Sequence, residues 1–173
     1  MSFHITIRQA TLTDIPLIRA IAEVSFRHTY RDILSSEQMD YMMEWMYGVK
    51  SLHDQIVQES HTYFIATTQD VAVGYVSVQP QGCSDDGLPL WHLQKIYILP
   101  DYQGSGIGKE LFSYALFFIQ SQSGTPTHVE LNVNRANRAV TFYEHMGMQR
   151  LRQGDFPIGH GYFMNDYIMG IDI

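Results

Sequence analysis

A glycine-rich turn between a strand and a helix is the feature that most restricts the fold of this chain. Residues 91–99 form an apolar, β-rich run that stops at Pro100-Asp101, and Gln103-Gly104-Ser105-Gly106-Ile107-Gly108 then opens a helix. Glycines let backbone N–H groups converge, and the first turn of a helix presents unpaired donors with partial positive charge. The sequence therefore predicts an anion-binding site here, with an ordinary strand-to-helix turn as the alternative.

Two well-known phosphate-binding loops do not fit this turn. Gly108-Lys109 is followed by Glu110, so the hydroxyl that holds Mg²⁺ in a nucleoside-triphosphate loop is missing. A dinucleotide-binding fold places its glycine turn after the first strand, whereas this turn lies past the middle of the chain. The anion is therefore expected to belong to another class of ligand.

Hydrophobic periodicity and turn residues predict the remaining elements. Thr13 is the expected N-cap of the first helix. In chain order, the first predicted elements are a strand that begins at Phe3, a helix that ends near residue 30, a helix at 35–48 and a polar helical piece at 51–59. A hairpin with strands at 63–68 and 71–78 follows, and then a polar loop at 79–89. The last elements are the strand at 91–99, the helix from 107, a strand at 128–133, a short helix at 137–146 and a strand at 161–173. Without the short polar piece at 51–59, the order is βααβββαβαβ, which predicts an α/β fold with helices on both faces of a single mixed sheet.

Composition limits the class of protein and its partners. The 173 residues, 45% of them hydrophobic, are enough for one domain, which we expect to span residues 1–173. Eighteen acidic against eleven basic residues give a formal charge of −7, so nucleic acid is not an expected partner. No segment reaches the roughly 18 apolar residues of a membrane span, and we expect a cytoplasmic protein without membrane contact. The single cysteine, Cys83, is interpreted as a loop thiol and not a nucleophile.

Two segments resemble the GCN5-related N-acetyltransferase (GNAT) family. The glycine turn is similar to the family's acetyl-CoA motif, Gln/Arg-x-x-Gly-x-Gly/Ala. Asn137 to Met148 looks like the family's Asn-x-x-Ala-x-x-Phe-Tyr-x-x-x-Gly-Phe segment, with Met148 in place of the usual Phe. Within the family, residues 26–30 and 93–100 look most like the bacterial spermidine/spermine acetyltransferases of the PaiA type. The resemblance covers the whole chain and implies a mostly antiparallel sheet that is splayed at the cofactor site.

The resemblance also implies acetyl-CoA as cosubstrate and a set of residues that bind it. The backbone amides of residues 104–109 would hold the pyrophosphate, and the edge of the strand before the turn would pair with the pantetheine arm. Asn137 would bond the same arm, with a polar residue in the first turn of a helix as the equal alternative. The expected cofactor-binding residues are Ile96, Tyr97, Ile98, Gln103, Gly104, Ser105, Gly106, Ile107, Gly108, Lys109 and Asn137.

Acetyl transfer to an amine needs an oxyanion donor, a proton for the leaving thiolate and a deprotonated amine. The resemblance places Tyr143 as the proton donor and the N–H of Ile98 as the oxyanion donor; a core aromatic is the alternative for Tyr143. His92 is the candidate base, with a structural histidine or catalysis by water as alternatives, and Glu44 and Tyr30 are weaker candidates. The other histidines show no paired metal spacing, and we expect no metal.

The expected partner is a small-molecule amine, and a homodimer is compatible with the sequence. Acidic residues in the early helices, Asp32, Glu37, Asp40 and Glu44, favour a cationic acceptor such as a polyamine; a solvated helix face is the alternative. Methionines 39, 42, 43 and 46, with Trp45, either fill a core or wall a pocket. A non-catalytic acetyl-CoA-binding module, and an enzyme for amino acids, peptide N-termini or antibiotics, remain alternatives.

Overall fold

The computed structural model describes residues 4–173, so Phe3 of the first predicted strand lies outside the described residues. Seven strands and five α-helices follow one another along this part of the chain. They are β1 (Ile5–Gln9), α1 (Ile15–Tyr30), α2 (Ser36–Tyr47), α3 (Val49–Val57), β2 (Thr62–Thr68), β3 (Val71–Cys83), β4 (Pro89–Ile98), α4 (Ile107–Ser123), β5 (His128–Asn134), α5 (Ala139–His145), β6 (Gln149–Gly159) and β7 (Tyr162–Asp172).

The strands form one mixed sheet in the order β1-β2-β3-β4-β5-β7-β6. Strands β4 and β5 are parallel to each other, and the other neighbouring strands are antiparallel. Between β2 and β3 the turn residues Gln69 and Asp70 have φ values of 49° and 62°, the left-handed pair that a two-residue hairpin requires. The predicted α/β fold and the predicted hairpin are confirmed.

Each face of the sheet carries its own hydrophobic core. Helices α4 and α5 cover one face, where Leu111 and Phe112 pack against the strands. Helices α1 to α3 cover the other face, and Met42 and Met43 are buried there beside Tyr47. These two methionines therefore fill a core, whereas Trp45 on the same helix remains 48% exposed.

An ion pair and a capping box hold the 3₁₀ turn (Leu12–Asp14) that precedes α1. The two guanidinium nitrogens of Arg8 each lie 2.8 Å from a carboxylate oxygen of Asp14, and the N–H of Thr11 donates to Asp14 at 2.8 Å. Arg8 is the main reason that the pKa of Asp14 is lowered to about 2. The expectation that Thr13 caps α1 is wrong, because Asp14 occupies the N-cap position and Thr13 lies in the preceding 3₁₀ turn.

Two stretches of β-structure were not predicted. The expected loop at residues 79–89 is shorter, since β3 continues to Cys83 and β4 begins at Pro89. Strand β6 was missed altogether. It is the edge strand of the sheet, and its charged, exposed residues and its proline hide the alternation on which strand prediction depends.

Lys95 on β4 is held among aromatic side chains of the α1–α3 face. Its Nζ donates to Gln55 Oε1 and to Tyr63 Oη, both at 3.0 Å, and lies 4.9 Å from the centroid of the Tyr47 ring. No carboxylate among the described residues forms an ion pair with it. Burial therefore lowers the pKa of Lys95 to about 7.

This lowered pKa makes the stability of the fold depend on pH. Between pH 7 and 10.5 the unfolded chain binds more protons at this lysine than the folded chain, so stability rises with pH. Urea denaturation of the wild type and of Lys95→Met at pH 7 and pH 9 measures the effect. We expect the wild type to gain about 2 kcal/mol more than the variant. Equal gains would show that the ammonium is not desolvated.

Candidate active site

The sheet divides between β4 and β5, and the division creates the site. These strands pair only at Leu90–His128, Trp91–Val129 and His92–Glu130. Against β3, Ser77 pairs with Lys95 and Val78 with Leu93, so Gln94 is an extra residue and forms a β-bulge. Beyond these points β4 and β5 separate, and a small cavity of about 50 Å³ lies between them. We call this opening the split.

A cavity of about 680 Å³ continues from the split toward the glycine turn. Four chain segments line it: the end of α1 with the residues after it, the end of β4, the glycine turn, and the start of α5. The predicted cofactor-binding residues in its lining are Ile96, Tyr97, Ile98, Gln103, Gly104, Gly106, Gly108, Lys109 and Asn137. The structure thus brings nearly all of the predicted binding residues to one cavity.

The three glycines of the turn serve two different purposes. Gly104 and Gly106 have φ values of 75° and 87°, which side-chain-bearing residues rarely adopt, and a Cβ on either would enter open space. A Cβ on Gly108 would instead lie 3.1 Å from Ile98 Cδ1, so this glycine lets α4 approach β4. The turn therefore leaves the backbone at the start of α4 uncovered on the cavity side.

Three neighbouring side chains stabilise the turn or the core, and two of them, those of Ser105 and Ile107, do not line the cavity. Gln103 Nε2 donates to the carbonyl of Ile98 at 3.2 Å, which closes the loop onto β4. The hydroxyl of Ser105 donates to the carbonyl of Tyr102. The side chain of Ile107 is buried in the core. Ser105 and Ile107 can therefore contribute only their backbone amides to a ligand.

The charge around the cavity favours an anion although the chain is acidic. All eleven lysines and arginines lie among the described residues. Seven of them pair with carboxylates: Arg8, Arg27, Arg31, Lys50, Arg135, Arg150 and Arg152. Arg19 donates to the carbonyl of Tyr47, and Lys95 is enclosed as described above. The remaining two, Lys109 and Arg138, both line the large cavity and form no ion pair within residues 4–173. These cations and the uncovered amides fit the phosphates of CoA.

The end of β4 presents backbone donors to the split. The N–H of Leu99 donates to the carbonyl of Val73 on β3 at 2.8 Å. Because successive N–H groups of a strand point to opposite sides, those of Ile98 and Ile96 point away from β3 and toward the split. The side chain of Tyr97 packs on the α1–α3 face, and those of Ile96 and Ile98 pack on the α4 face. This edge can therefore pair with a ligand that carries amides.

Tyr143 lies where the two cavities meet. It projects from α5, lines both cavities and is 6% exposed. No group among the described residues forms a hydrogen bond with its hydroxyl. Burial raises the pKa of Tyr143, so the hydroxyl stays protonated near neutral pH.

Asn137 serves the local structure and also borders both cavities. Its Oδ1 accepts from the N–H of Ala139 at 2.9 Å, and its Nδ2 donates to Tyr30 Oη at 3.4 Å. In this chain the asparagine stands two residues before the alanine, one fewer than in the family segment given above. Its contact with CoA remains a prediction, as does the role of Tyr30, which lines the split and hydrogen bonds with Tyr97.

His92 lies at the closed end of the split and lines neither cavity. Its Nε2 is 3.0 Å from Asn132 Oδ1, and burial lowers the pKa of its imidazole. Glu44 is exposed on α2 and also lines neither cavity. The structure therefore brings Tyr143 together with most of the predicted cofactor-binding residues and leaves His92 at one side. Its role as a base remains a prediction.

The sequence analysis missed Arg138, Asn132 and Asp166. Arg138 lies within the segment that resembles the family. Only the structure shows that it lines the large cavity and that no carboxylate among the described residues pairs with it. Asn132 is at an exposed position of β5, where a polar residue is normal, and the alternation of β7 does not mark Asp166, which is buried. Among residues 4–173, no group of three or more His, Cys, Asp or Glu side chains could hold a metal ion. No helix in this range is long and apolar enough to cross a membrane.

Comparisons with known proteins agree with this geometry. The family model for the acetyltransferase (GNAT) domain matches residues 31–155. An uncharacterized N-acetyltransferase of Escherichia coli (strain K12) is 26% identical over 153 residues, which cover 88% of this chain and 84% of that protein.

Solved structures share the fold. The PaiA N-acetyltransferase of Thermoplasma acidophilum, in complex with coenzyme A, superposes with a TM-score of 0.79 at 22% identity and covers 98% of this chain and 99% of its own. The ribosomal-protein-S18-alanine N-acetyltransferase of Escherichia coli has a TM-score of 0.69 at 20% identity, with 98% and 94% covered. The chain belongs to the GNAT family of acetyltransferases and is an acetyl-CoA-dependent N-acetyltransferase.

Proposed function

We propose that this chain transfers the acetyl group of acetyl-CoA directly to a primary amine, with Tyr143 as the acid that protonates the leaving thiolate. The observation that carries the proposal is the position of Tyr143, whose protonated hydroxyl lies at the junction of the two cavities and has no hydrogen-bond partner in the described part of the chain. Acetyl-CoA supplies a thioester, in which the C–S bond breaks as the new C–N bond forms. No covalent enzyme intermediate is needed, and Cys83 is exposed at the end of β3, outside the lining of both cavities.

The binding steps are assigned to the backbone and to two cations. The amides of residues 104–109 and the positive end of α4 would hold the pyrophosphate, and Lys109 and Arg138 would add charge-assisted contacts to phosphate. The N–H groups on the open edge of β4 would pair with the amides of the pantetheine arm. The backbone N–H of Ile98 is the proposed donor to the oxyanion that forms on the thioester carbonyl.

The acceptor that we propose is a small cationic amine of the polyamine class. The charge of −7 and the similarity to PaiA-type acetyltransferases support it. The acidic residues that the sequence analysis named, Asp32, Glu37, Asp40 and Glu44, support a cationic acceptor less than the sequence suggests. Asp40 pairs with Arg27 at 2.7 Å, and Asp32 lines the large cavity, which we assign to CoA. The fold is shared with an enzyme for a protein alanine, so peptide amines are the main alternative.

The cofactor assignment predicts the effect of closing the glycine turn. Replacing Gly106 by Val fills open space beside the cavity and should abolish the rise in melting temperature that CoA produces. Gly87→Val is a matched control, because Gly87 has a φ value of 82° and faces open space in the loop before β4. Both variants carry similar backbone strain, and only Gly87→Val should keep the CoA shift. If both variants keep it, the turn is not the CoA site.

The acid assignment predicts a loss of turnover without a loss of binding. Tyr143→Phe keeps the ring and removes the hydroxyl, so kcat should fall about 10²- to 10⁴-fold while the KM for acetyl-CoA changes little. Tyr114→Phe, on the exposed side of α4, is the control and should behave as wild type. An unchanged kcat in an assay limited by the chemical step would make Tyr143 a packing residue.

The acceptor assignment predicts both a preference and a dependence on salt. Spermidine should be acetylated faster than a neutral arylamine, an amino acid or a peptide N-terminus. Its KM should rise between low and high salt, because exposed charges are screened over roughly 8 Å at physiological ionic strength. Steady-state rates for the four amines at two salt concentrations test this. A preference for the peptide or amino acid without salt dependence would contradict the polyamine class and leave acetyl transfer in place.

A further inference from the structure

The small cavity in the split continues the large one. The residues that line both cavities mark the junction between them: Ile96, Tyr97, Asn137, Ala139 and Tyr143. The glycine turn and the cations assigned to the phosphates of CoA line the large cavity only. The thioester of acetyl-CoA lies at the opposite end of the molecule from its phosphates. It therefore reaches the junction, and the acyl group is directed into the small cavity.

The small cavity has room for a short acyl group. Its volume is about 50 Å³. A water molecule needs roughly 10–15 Å³ of such space, so the cavity holds about four atoms of that size. An acetyl group is about this large, and each added methylene group extends the chain further. Beyond the cavity β4 and β5 are paired at His92–Glu130, so it does not continue between the strands.

Part of the cavity lining is polar and is fixed by hydrogen bonds. Gln94 and Lys95 both belong to it. Gln94 Nε2 donates to Gln79 Oε1 at 2.7 Å, and Lys95 Nζ donates to Gln55 and Tyr63 as described above. A longer alkyl chain that displaced these groups would leave polar atoms without partners inside the protein, which is costly. This part of the lining therefore resists widening.

The apolar part of the lining lies on the α4 face of the sheet. Val133 belongs to the hydrophobic core of that face, and Ile96 and Ala139 pack against this core. Ile96 and Ala139 line both cavities, whereas Val133 lines the small cavity and not the large one. Val133 is 5% exposed, so its side chain is held in place by its neighbours. The size of this side chain therefore sets the space that an acyl group can fill.

We propose that the small cavity is the acyl pocket and that Val133 is the specificity-determining residue that limits it to an acetyl group. This inference rests on the function proposed above, which places the thioester beside Tyr143. The acetyl methyl group packs against Val133 and Ile96. A propionyl or butyryl group must either push into a packed core or hold the thioester carbonyl away from the edge of β4. Longer acyl groups are therefore transferred slowly.

The wild type should discriminate between acyl donors by chain length. With one amine as acceptor, kcat/KM should fall about 10- to 200-fold for each methylene group added to acetyl-CoA, the usual effect of a methylene group that a pocket does not accommodate. Steady-state rates with acetyl-CoA, propionyl-CoA and butyryl-CoA measure this. Equal kcat/KM values for the three donors would overturn the proposal.

A smaller side chain at position 133 tests the assignment to this residue. Val133→Ala should raise kcat/KM for propionyl-CoA relative to acetyl-CoA about tenfold or more. Val129→Ala is the matched control, because Val129 is a fully buried residue of the same strand and the same core and lines neither cavity. Both variants remove the same atoms from the core, and only Val133→Ala should change the preference. A wild-type preference in Val133→Ala, or the same change in both variants, would overturn the proposal.

A larger side chain at the same position tests the pocket by binding alone. Val133→Ile narrows the small cavity, so the affinity for acetyl-CoA should fall about tenfold, while the affinity for CoA, which carries no acyl group, should stay at the wild-type value. The rise in melting temperature that each ligand produces measures both affinities. Equal weakening of both ligands, or no weakening of either, would show that the acyl group does not enter this cavity.

The acceptor amine is the alternative occupant of the small cavity, because Asn132 in its lining is exposed. In that case Val133→Ala would change the KM for the amine and leave the preference among acyl donors as in the wild type, which would overturn the proposal. The wild-type series decides the proposal even where a variant fails to fold, which its melting curve shows.

The wild-type assay also separates this inference from the proposed function. Acetylated product together with equal rates for the three acyl donors overturns the acyl pocket alone. No acetylated product from any amine by the wild type would overturn the proposed function, and the binding comparison of CoA with acetyl-CoA would still decide whether the acyl group enters the small cavity.

Discussion

The separation of β4 from β5 is the constraint on which the rest of the structure depends. A sheet buried between two helical layers satisfies its backbone groups by pairing neighbouring strands, and here pairing stops after three residue pairs. The bulge at Gln94 adds a residue on the β3 side of β4, which bends the strand away from β5. The backbone N–H groups of Ile96 and Ile98 then have no partner strand on that side among the described residues. An extended ligand that carries amide groups can accept hydrogen bonds from these N–H groups.

Residues from helices on both faces of the sheet line the split. Tyr30 comes from the end of α1 and Tyr143 from α5, and both line the space between the strands. Asn137, just before α5, donates to Tyr30, and Tyr30 bonds with Tyr97 of β4. The opening is thus framed by polar contacts between layers that are otherwise apolar. The same contacts place the Tyr143 hydroxyl beside the strand edge that receives the thioester in the proposed reaction.

The sequence predicted the fold and most of the residues that line the large cavity, because both depend on local signals. Glycines with positive φ, the N-terminus of α4 and the alternation of β4 can each be recognised within about ten residues. The missed features depend on residues far apart in the chain. Strand β6 is stabilised by pairing with β7 at an exposed edge, and its sequence alone resembles a loop. Asn132 and Asp166 form their contact only because β5 and β7 are neighbours. Nothing in the sequence around Lys95 indicates that Tyr47, Tyr63 and Gln55 enclose its ammonium group.

Lys95 also indicates what this environment does to an amine. It lies on β4 between the bulge and the residues that line the large cavity, and burial lowers its pKa from 10.5 to about 7. An acceptor ammonium that leaves water for the same part of the sheet suffers the same desolvation, which favours its neutral form. The first deprotonation therefore needs less driving force than it does in water. A weak neutral base would then be sufficient for the proposed reaction, and a stronger anionic base would oppose the effect by stabilising the ammonium.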